Sequence, residues 1–309
     1  MKGPLFFAKI LLFGEYGIIE DSKGLSIPYN FYCGSLKIQK ENKRANEASN
    51  KKLAGFADYL KTLDSEVVSF DWEKLDFDLA RKMYFDSTIP EGYGVGSSGA
   101  LVAAIYDKYA MSKITVLENL TKEKLQYLKK IFSQMESFFH GKSSGLDPLN
   151  SYLSLPILIN SNEQIEIIGI PSQNTLGKGA VFLIDSGISV ETAPMVSIFM
   201  ENMKKKAFST MMREKFINYS DACVEDFLQG NPNSFFKNIK SLSSLVLKNF
   251  QPMIPSSFDQ LWRKGIETNN YYFKLCGSGG GGFILGFTED YEKAKKALKD
   301  YPLEVVYYF

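Results

Sequence analysis

Three charged side chains stand at positions where the sequence pattern predicts apolar ones. Lys9 interrupts the alternating apolar run of residues 5–13, and Glu136 falls on the apolar stripe of a predicted helix. Asp147 follows Glu136 after a short Ser-Ser-Gly turn that would direct it back toward the same place. Each has a structural alternative: Lys9 could extend to solvent, and both acids could cap neighbouring backbone. Together they supply a cation, a carboxylate suited to a metal and a base, which is the set that phosphoryl transfer requires.

A first glycine cluster, IPEGYGVGSSGA at residues 89–100, lies between a predicted strand and a predicted helix. Backbone N–H groups in such a turn and at the following helix N-terminus can hold a phosphate. Ser97 and Ser98 add hydroxyl oxygens for phosphate or Mg²⁺. The cluster lacks the Lys of a Walker A loop and the acidic residue of a Rossmann βαβ unit. A plain strand-to-helix turn is the alternative interpretation.

The second cluster, CGSGGGGF at residues 276–283, has five glycines among the six residues 277–282. Ordering so many glycines is entropically costly, so the pattern indicates that a bare backbone is needed there. A flexible linker is less favoured because apolar strand patterns flank the cluster on both sides.

Other chemistry is restricted by composition. The 36 basic and 35 acidic residues leave a net charge of +1, which provides no general field for nucleic acid. The single histidine, His140, is expected to end a helix and bond a loop carbonyl rather than act in acid–base catalysis. A serine hydrolase is disfavoured because neither glycine cluster contains GxSxG. The three cysteines form no CxxC pair, which argues against a zinc site or a disulfide framework and favours a reducing compartment.

No membrane role is expected, because the first apolar run is too short to span a bilayer. Lys9 interrupts it and no small-residue cleavage site follows, so it does not read as a signal peptide either. We therefore expect a cytoplasmic protein.

The elements that must position these residues fit an α+β chain of two domains, as 309 residues suggest. The linker at residues 171–179 predicts an N-terminal domain of 1–172 and a C-terminal domain of 173–309. The segment 41–52 is predicted to be a solvated loop, 77–90 a strand, and 97–110 a packed helix. Thr121 is predicted to cap a helix that ends at His140. Strands are predicted within 153–159, 164–170 and 180–188, mostly helices over 191–267, and a final strand, glycine loop, strand, helix and strand after residue 270.

With these motifs in place, the sequence resembles the GHMP small-molecule kinases over essentially its whole length. AKILLFGEYGII, PEGYGVGSSGALVA and KLCGSGGGGF are similar to the three motifs of that superfamily in order and distance. The segment ESFFHGKSSGLD is similar to the ExxxHGxPSGxD segment of the mevalonate kinases, the closest branch.

The resemblance implies a GHMP kinase fold with an S5-like N-terminal and a ferredoxin-like C-terminal domain. It also implies ATP- and Mg²⁺-dependent phosphorylation of the primary hydroxyl of mevalonate, in isoprenoid precursor synthesis. Asp147 and Lys9 would be the catalytic residues, and Ser98 and Glu136 would hold Mg²⁺. The implied nucleotide-binding residues are Gly94, Gly96, Ser97, Ser98 and Gly99. The implied substrate-binding residues are Glu15, Tyr16, Thr192, Gly277, Gly279 and Gly280. The expected partners are ATP and a small alcohol, without nucleic acid or membrane, in a possible homodimer.

Two departures from the resemblance affect the substrate. Tyr16 stands where mevalonate kinases usually have His, and GEY is reminiscent of phosphomevalonate kinases. Val190 replaces an Arg that would pair with a substrate carboxylate two residues before Thr192. The alternatives are therefore phosphomevalonate kinase, with Lys142 as the candidate for the second phosphate, another GHMP kinase acting on a sugar or other alcohol, and a non-catalytic nucleotide-binding regulator.

Overall fold

The computed structural model describes residues 3–39, 46–117, 119–160 and 164–309. The strands are β1 (Phe6–Phe13), β2 (Gly24–Ile38), β3 (Met83–Ser87), β4 (Ile157–Ile159), β5 (Ile165–Ile167), β6 (Ala180–Asp185), β7 (Tyr272–Leu275), β8 (Phe283–Thr288) and β9 (Leu303–Tyr308). The α-helices are α1 (Glu47–Leu60), α2 (Trp72–Ala80), α3 (Ser97–Tyr109), α4 (Lys122–His140), α5 (Leu146–Leu153), α6 (Thr192–Met203), α7 (Lys206–Met211), α8 (Ile217–Gln229), α9 (Pro232–Asn249), α10 (Asp259–Thr268) and α11 (Tyr291–Ala297). Within these residues no helix is both long enough and apolar enough to cross a membrane.

The described chain divides into two compact units that interleave along the sequence. Unit 1 contains Met1–Lys9, Pro28–Pro90 and Gly96–Leu155, and unit 2 contains Ile10–Ile27, Glu91–Val95 and Pro156–Phe309. Strands β1 and β2 therefore contribute residues to both units. Because the units interleave, the single boundary between residues 172 and 173 stays a prediction.

In unit 1, helices α3, α4 and α5 form the core beside strand β3. The small residues Gly99, Ala100, Ala103 and Ala104 of α3 are buried and allow it to pack closely along α5. The rings of Tyr106 and Phe132 meet edge to face at 5.0 Å, and those of Tyr106 and Tyr152 at 5.2 Å. Strand β3 pairs antiparallel with the second half of β2. These ring contacts lie toward the C-terminal ends of α3 and α5.

Unit 2 is built on a four-stranded sheet in the order β7-β8-β6-β9. The pairs β7–β8, β6–β8 and β6–β9 are antiparallel, and every residue of β7 and β8 is buried. Helix α9 packs on β7 and β8. Phe13, from the end of β1, packs against Phe235 of α9 at 5.9 Å and Phe287 of β8 at 5.6 Å between ring centroids. The first residues of β2 pair with β4, which pairs with β5, again antiparallel.

Most element predictions are confirmed, including the α+β class. Helix α3 ends one residue before its predicted end, and α4 begins after Thr121, whose side chain accepts a hydrogen bond from Lys124 N. The helical stretch after residue 191 and the closing β7–β8–α11–β9 order also agree.

Two segment predictions are wrong in part. The predicted loop at 41–52 is helical from Glu47, because these polar residues supply the solvent face of α1, whose buried face is Leu53, Phe56, Ala57 and Leu60. Residues 41–45 lie outside the described residues. The predicted strand at 77–90 begins only at Met83, since residues 77–80 complete α2, whose first turn is capped by the side chain of Asp71. Helix α5 was not predicted.

Candidate active site

Lys9 and Asp147 form an ion pair in unit 1. Lys9 Nζ lies 2.9 Å from Asp147 Oδ1, with the Lys9 side chain 6% exposed and that of Asp147 36% exposed. Lys9 comes from β1 and Asp147 from the first turn of α5. Gly96, the N-cap of α3, has a φ of +80°, and a Cβ built there would lie 3.0 Å from Lys9 Cγ and 3.7 Å from Asp147 Oδ2. The N-terminus of α3 therefore approaches the ion pair through bare backbone.

Two glycines determine the position of Asp147, because they allow close packing of helix α5, which carries it. Gly145, the N-cap of α5, has a φ of +74°, and a Cβ there would fall 2.3 Å from the carbonyl oxygen of Lys129. A Cβ on Gly99 would lie 2.7 Å from both the Asp147 carbonyl carbon and Pro148 N. Helix α5 thus sits against α3 and α4 at distances that only glycine permits.

Glu136 is a buried carboxylate of α4 that two serine hydroxyls reach. Ser98 Oγ donates to Glu136 Oε1 at 3.0 Å, and Ser143 Oγ donates to Oε2. The residue is 3% exposed. Burial, reinforced by the charge of Asp147, raises the pKa of Glu136 to about 7, against the opposing effect of the two hydroxyls and Lys9.

His140 ends α4, as predicted, but its partner is Ser98 rather than a loop carbonyl. Its Nε2 lies 2.9 Å from Ser98 Oγ. Burial lowers the pKa of His140, with the charge of Asp147 acting in the opposite direction. Ser98 therefore contacts both an acid and an imidazole.

The donor atoms around Ser98 and Glu136 suit a hard cation. A hydroxyl and a carboxylate are oxygen ligands of the kind that Mg²⁺ prefers, and Mg²⁺ typically binds through one or two carboxylates plus substrate phosphates and water. Among the described residues, no group of three or more His, Cys, Asp or Glu is placed to hold a metal. The residues present fit a Mg²⁺ ion that arrives with phosphate ligands better than a permanently bound metal.

Unit 2 contains a second buried ion pair. Lys274 Nζ of β7 lies 2.5 Å from Glu15 Oε2, and the two side chains are 0% and 4% exposed. Burial raises the pKa of Glu15, while the neighbouring ammonium lowers it. Lys274 Nζ also donates to the Leu275 carbonyl at 3.0 Å and lies 5.8 Å from the centre of the Phe13 ring. Glu15 Oε1 is a buried acceptor without a hydrogen-bond donor among the described residues.

The two glycine clusters meet within unit 2. A Cβ on Gly94 would lie 2.6 Å from the carbonyl oxygen of Cys276, and Gly94 has a φ of +77°. A Cβ on Gly282 would lie 2.5 Å from Tyr93 Cα. The close packing of the two loops explains part of their glycine content, because a side chain at either position would force them apart.

Tyr16 connects the first motif to the second glycine cluster. Its hydroxyl donates to the Ser278 carbonyl at 2.6 Å, and its ring stacks on Phe199 of α6 with 4.6 Å between centroids. Thr192 is the first residue of this same helix. Val190, just before α6, lies against Gly280, where an added Cβ would be 3.3 Å from Val190 Cγ1. The position at which the resemblance would place an Arg is therefore an apolar contact with the glycine loop.

The structure thus groups the predicted residues within each unit. Lys9, Gly96, Ser98, Gly99, Glu136 and Asp147 come together in unit 1, where Ser97 begins α3. Glu15, Tyr16, Gly94, Thr192, Gly277, Gly279 and Gly280 lie in unit 2.

Sequence reasoning missed three contributors, namely Lys274, Ser143 and the contact of His140 with Ser98. Lys274 carries the same signal as Lys9, a lysine inside an apolar strand pattern. No pattern distinguishes Ser143 from its neighbour Ser144.

Comparison with protein families identifies the class. The model for the N-terminal domain of GHMP kinases matches residues 61–154, and the model for the C-terminal domain matches residues 223–304. The chain belongs to the GHMP kinase family. It is accordingly an ATP-dependent small-molecule kinase with the two-domain α+β fold of that family. Pairwise comparison with curated proteins gave no match.

Solved structures with the same fold have several substrates. Mevalonate kinase of L. major in complex with R-mevalonate has a TM-score of 0.62 and 15% identity, with 99% of each chain covered. Galactokinase of Lactococcus lactis complexed with galactose has a TM-score of 0.64 and 12% identity, and the match covers 98% of this chain and 93% of the galactokinase chain. Phosphomevalonate kinase of Streptococcus pneumoniae has a TM-score of 0.60 and 14% identity, and the match covers 98% of this chain and 97% of the other chain. At these identities the likeness shows the fold and leaves the acceptor open.

Proposed function

We propose that this kinase transfers the γ-phosphoryl group of ATP to the primary hydroxyl of mevalonate. The observation that carries the proposal is the unit 1 cluster, in which the Lys9–Asp147 ion pair lies beside the N-terminus of α3. The Glu136–Ser98 hydrogen bond lies on the same helix start. The match of residues 136–147 to the mevalonate kinase segment favours mevalonate over other alcohols.

In the proposed mechanism Asp147 orients the acceptor hydroxyl and accepts its proton as the oxygen attacks the γ-phosphorus and ADP leaves. Lys9 offsets the negative charge that develops on the transferred group. The N–H groups at the start of α3 face phosphate oxygens, because the N-terminal end of a helix favours negative charge. Most of the rate enhancement then comes from position and charge, because the transition state of phosphoryl transfer is loose.

Ser98 and Glu136 would hold Mg²⁺ in this proposal. Bound with ATP, the ion would neutralise negative charge on the phosphate groups. His140 is placed to keep the Ser98 hydroxyl oriented, since its Nε2 lies 2.9 Å from Ser98 Oγ. The oxygen donors of Ser98 and Glu136 and the burial of Glu136 support the proposed Mg²⁺ site.

Glu15 is the proposed acceptor-facing residue of the first motif. Its Oε1 is buried without a hydrogen-bond donor among the described residues, which would normally be costly. Tyr16, Thr192, Gly277, Gly279 and Gly280 are proposed as its neighbours in binding the acceptor, and Gly94, Gly96, Ser97 and Gly99 as the residues that receive the nucleotide.

A coupled assay with Mg·ATP and a panel of mevalonate, phosphomevalonate, galactose and homoserine tests the proposal. We expect the largest kcat/KM for mevalonate. A preference for phosphomevalonate would identify the protein as a phosphomevalonate kinase, the alternative that Tyr16 in the first motif favours. Turnover of a sugar alone would reject both, and the absence of turnover with every alcohol would indicate a nucleotide-binding regulator.

A further inference from the structure

The glycine loop of residues 277–282 is held at its end by backbone hydrogen bonds. Gly280 N–H donates to the Met253 carbonyl at 2.6 Å and Gly282 N–H to the Ile188 carbonyl at 2.5 Å. Four of its glycines have positive φ, namely Gly277, Gly279, Gly280 and Gly282. Between the anchored end and β7 lies the peptide unit that joins Ser278 to Gly279. A side chain holds this unit, because its carbonyl oxygen accepts the Tyr16 hydroxyl at 2.6 Å.

Holding that carbonyl determines the direction of the neighbouring N–H. A peptide unit is planar and trans, so its C=O and N–H point in opposite directions, and none of the described peptide bonds is cis. The Gly279 N–H therefore points away from the Tyr16 hydroxyl. It donates to no protein acceptor among the described residues. Gly279 has no side chain that could fix the orientation of this peptide unit, so the Tyr16 hydroxyl is the side-chain contact that holds it.

Tyr16 is itself held in a strained conformation. Its φ of +60° is unusual for a residue with a side chain and costs of order 1–3 kcal/mol. The ring is 6% exposed and stacks on Phe199, and its backbone follows Glu15, which is paired with Lys274. Burial raises the pKa of Tyr16, so that the hydroxyl remains a donor. Packing and an ion pair thus hold the strained tyrosine in place.

We propose that Tyr16 is a positioning residue, which holds the Ser278–Gly279 peptide so that the Gly279 N–H donates to an anionic oxygen of the bound ligand. This rests on the proposed function for the choice of ligand. The oxygen belongs either to the carboxylate of the acceptor or to a phosphate of the nucleotide. Val190, which lies beside this loop, is apolar and provides no guanidinium for either anion.

The test is Tyr16→Phe, which removes the hydroxyl and leaves the ring. Tyr307→Phe is the matched control, because Tyr307 is equally buried and donates to the Pro171 carbonyl at 2.9 Å from β9, at the opposite edge of the sheet from β7. KM and kcat are measured for ATP, for mevalonate and for the neutral triol in which a hydroxymethyl group replaces the carboxylate. We expect Tyr16→Phe to raise one KM about tenfold or more, and Tyr307→Phe to change each KM less than twofold.

The two sources of the anion give different patterns. A raised KM for mevalonate with an unchanged KM for the triol assigns the N–H to the carboxylate. A raised KM for ATP, measured with either acceptor, assigns the Gly279 N–H to a phosphate of the nucleotide. Tyr16→Phe values within twofold of those of Tyr307→Phe would overturn the proposal, and so would an equal loss with both acceptors that leaves the KM for ATP unchanged.

A second readout remains valid even if mevalonate is not the acceptor. Labelling serine carbonyls with ¹³C and glycine amides with ¹⁵N selects the four Ser-Gly peptides of the sequence, and the Ser278→Ala variant identifies the Gly279 signal by its loss. Titration with a non-hydrolysable ATP analogue, and separately with mevalonate, should shift this amide in the wild type and less in Tyr16→Phe. No shift with either anion would overturn the inference. If the ATP analogue shifts the Gly279 amide signal but mevalonate is not turned over, the role of Tyr16 stands and mevalonate is rejected as the acceptor.

Discussion

Lys9, Glu136 and Asp147 place one cation and two carboxylates next to each other in unit 1. Lys9 and Glu136 are each more than nine-tenths buried, while Asp147 is about one-third exposed. A reacting hydroxyl can therefore approach Asp147 more easily than Glu136. The exposure difference supports different roles for the two acids, one facing the acceptor and one holding a metal.

The role of Asp147 is tested by Asp147→Asn. We expect kcat to fall by about 10²–10⁴-fold, because the amide cannot accept the proton of the acceptor, with little change in nucleotide affinity. Steady-state kinetics and calorimetric titration with an ATP analogue measure the two effects. Asp86→Asn is the control, since its ion pair with Lys37 lies on the surface. Turnover within fivefold of the wild type would rule out Asp147 as the base.

The role of Glu136 is tested by the effect of Mg²⁺ on thermal stability. With Glu136→Gln, we expect Mg·ATP to raise Tm no more than ATP with EDTA does, since a neutral amide is a poorer Mg²⁺ ligand. The ligand-free variant should unfold at the wild-type Tm or higher, because it buries no carboxylate. Glu123→Gln, an exposed residue at the start of the same helix, should retain the wild-type response to Mg²⁺. A full Mg²⁺-dependent rise in Glu136→Gln would contradict the assignment.

At the scale of elements, the contact of α3 with α5 determines where Asp147 stands. Gly99 lets the backbone of α5 approach to a distance that a Cβ would not allow. The first turn of α5 also depends on the positive φ of Gly145. Both glycines therefore determine the position of the helix that carries the proposed base, Asp147.

Gly99→Ala should move α5 and with it Asp147, the proposed base. We expect a loss of about 1–3 kcal/mol in the free energy of unfolding, as for other overpacked sites, and a fall in kcat larger than the change in KM for ATP. Denaturant titration and kinetics provide the two readouts. Gly55→Ala in α1 is the matched control: its Cβ would meet only Phe138 Cζ at 3.7 Å, an ordinary contact. That variant should gain up to about 1 kcal/mol, as alanine does in a helix interior, and equal effects of the two substitutions would contradict this account.

How far the sequence predicts this site depends on the kind of signal. Lys9 and Glu136 were predicted because a charge on an apolar face needs a partner, and the structure brings each to one. Lys274 has the same signal but lies in a strand of only four residues, too short for an apolar alternation to single it out. Helix α5 was missed because eight residues after a glycine turn carry too little periodicity. The packing function of Gly99 depends on which helix it meets, and no local pattern contains that information.

At the scale of the whole molecule, the interleaving of the two units is the main feature. Residues 10–27 belong to unit 2, although more than a hundred residues separate them from its sheet. Phe13 and Glu15 in this segment contact Phe235, Phe287 and Lys274. The predicted boundary at residue 172 would separate these partners. A cytoplasmic location and a homodimer stay predictions from the sequence.

The fragment 173–309 should therefore fold poorly by itself. Without Glu15, the ammonium of Lys274 loses its buried partner, and breaking such a pair typically costs about 3–5 kcal/mol. Circular dichroism and denaturant titration against the full chain measure the loss. The same fragment with Lys274→Met should recover part of the stability. Cooperative unfolding of the unmodified fragment, at the denaturant concentration of the full chain, would instead support the boundary at residue 172.

Phe13 is synthesised long before the residues that it packs against. The ribosome releases Phe13 more than two hundred residues before its ring partners Phe235 and Phe287. Strand β6 likewise waits for β9, more than a hundred residues later. Long-range pairing of this kind folds slowly and leaves apolar strands open to aggregation in the meantime. Nascent chains of this kinase should therefore depend on a chaperone that shields residues 10–27 until β8 and β9 have left the exit tunnel.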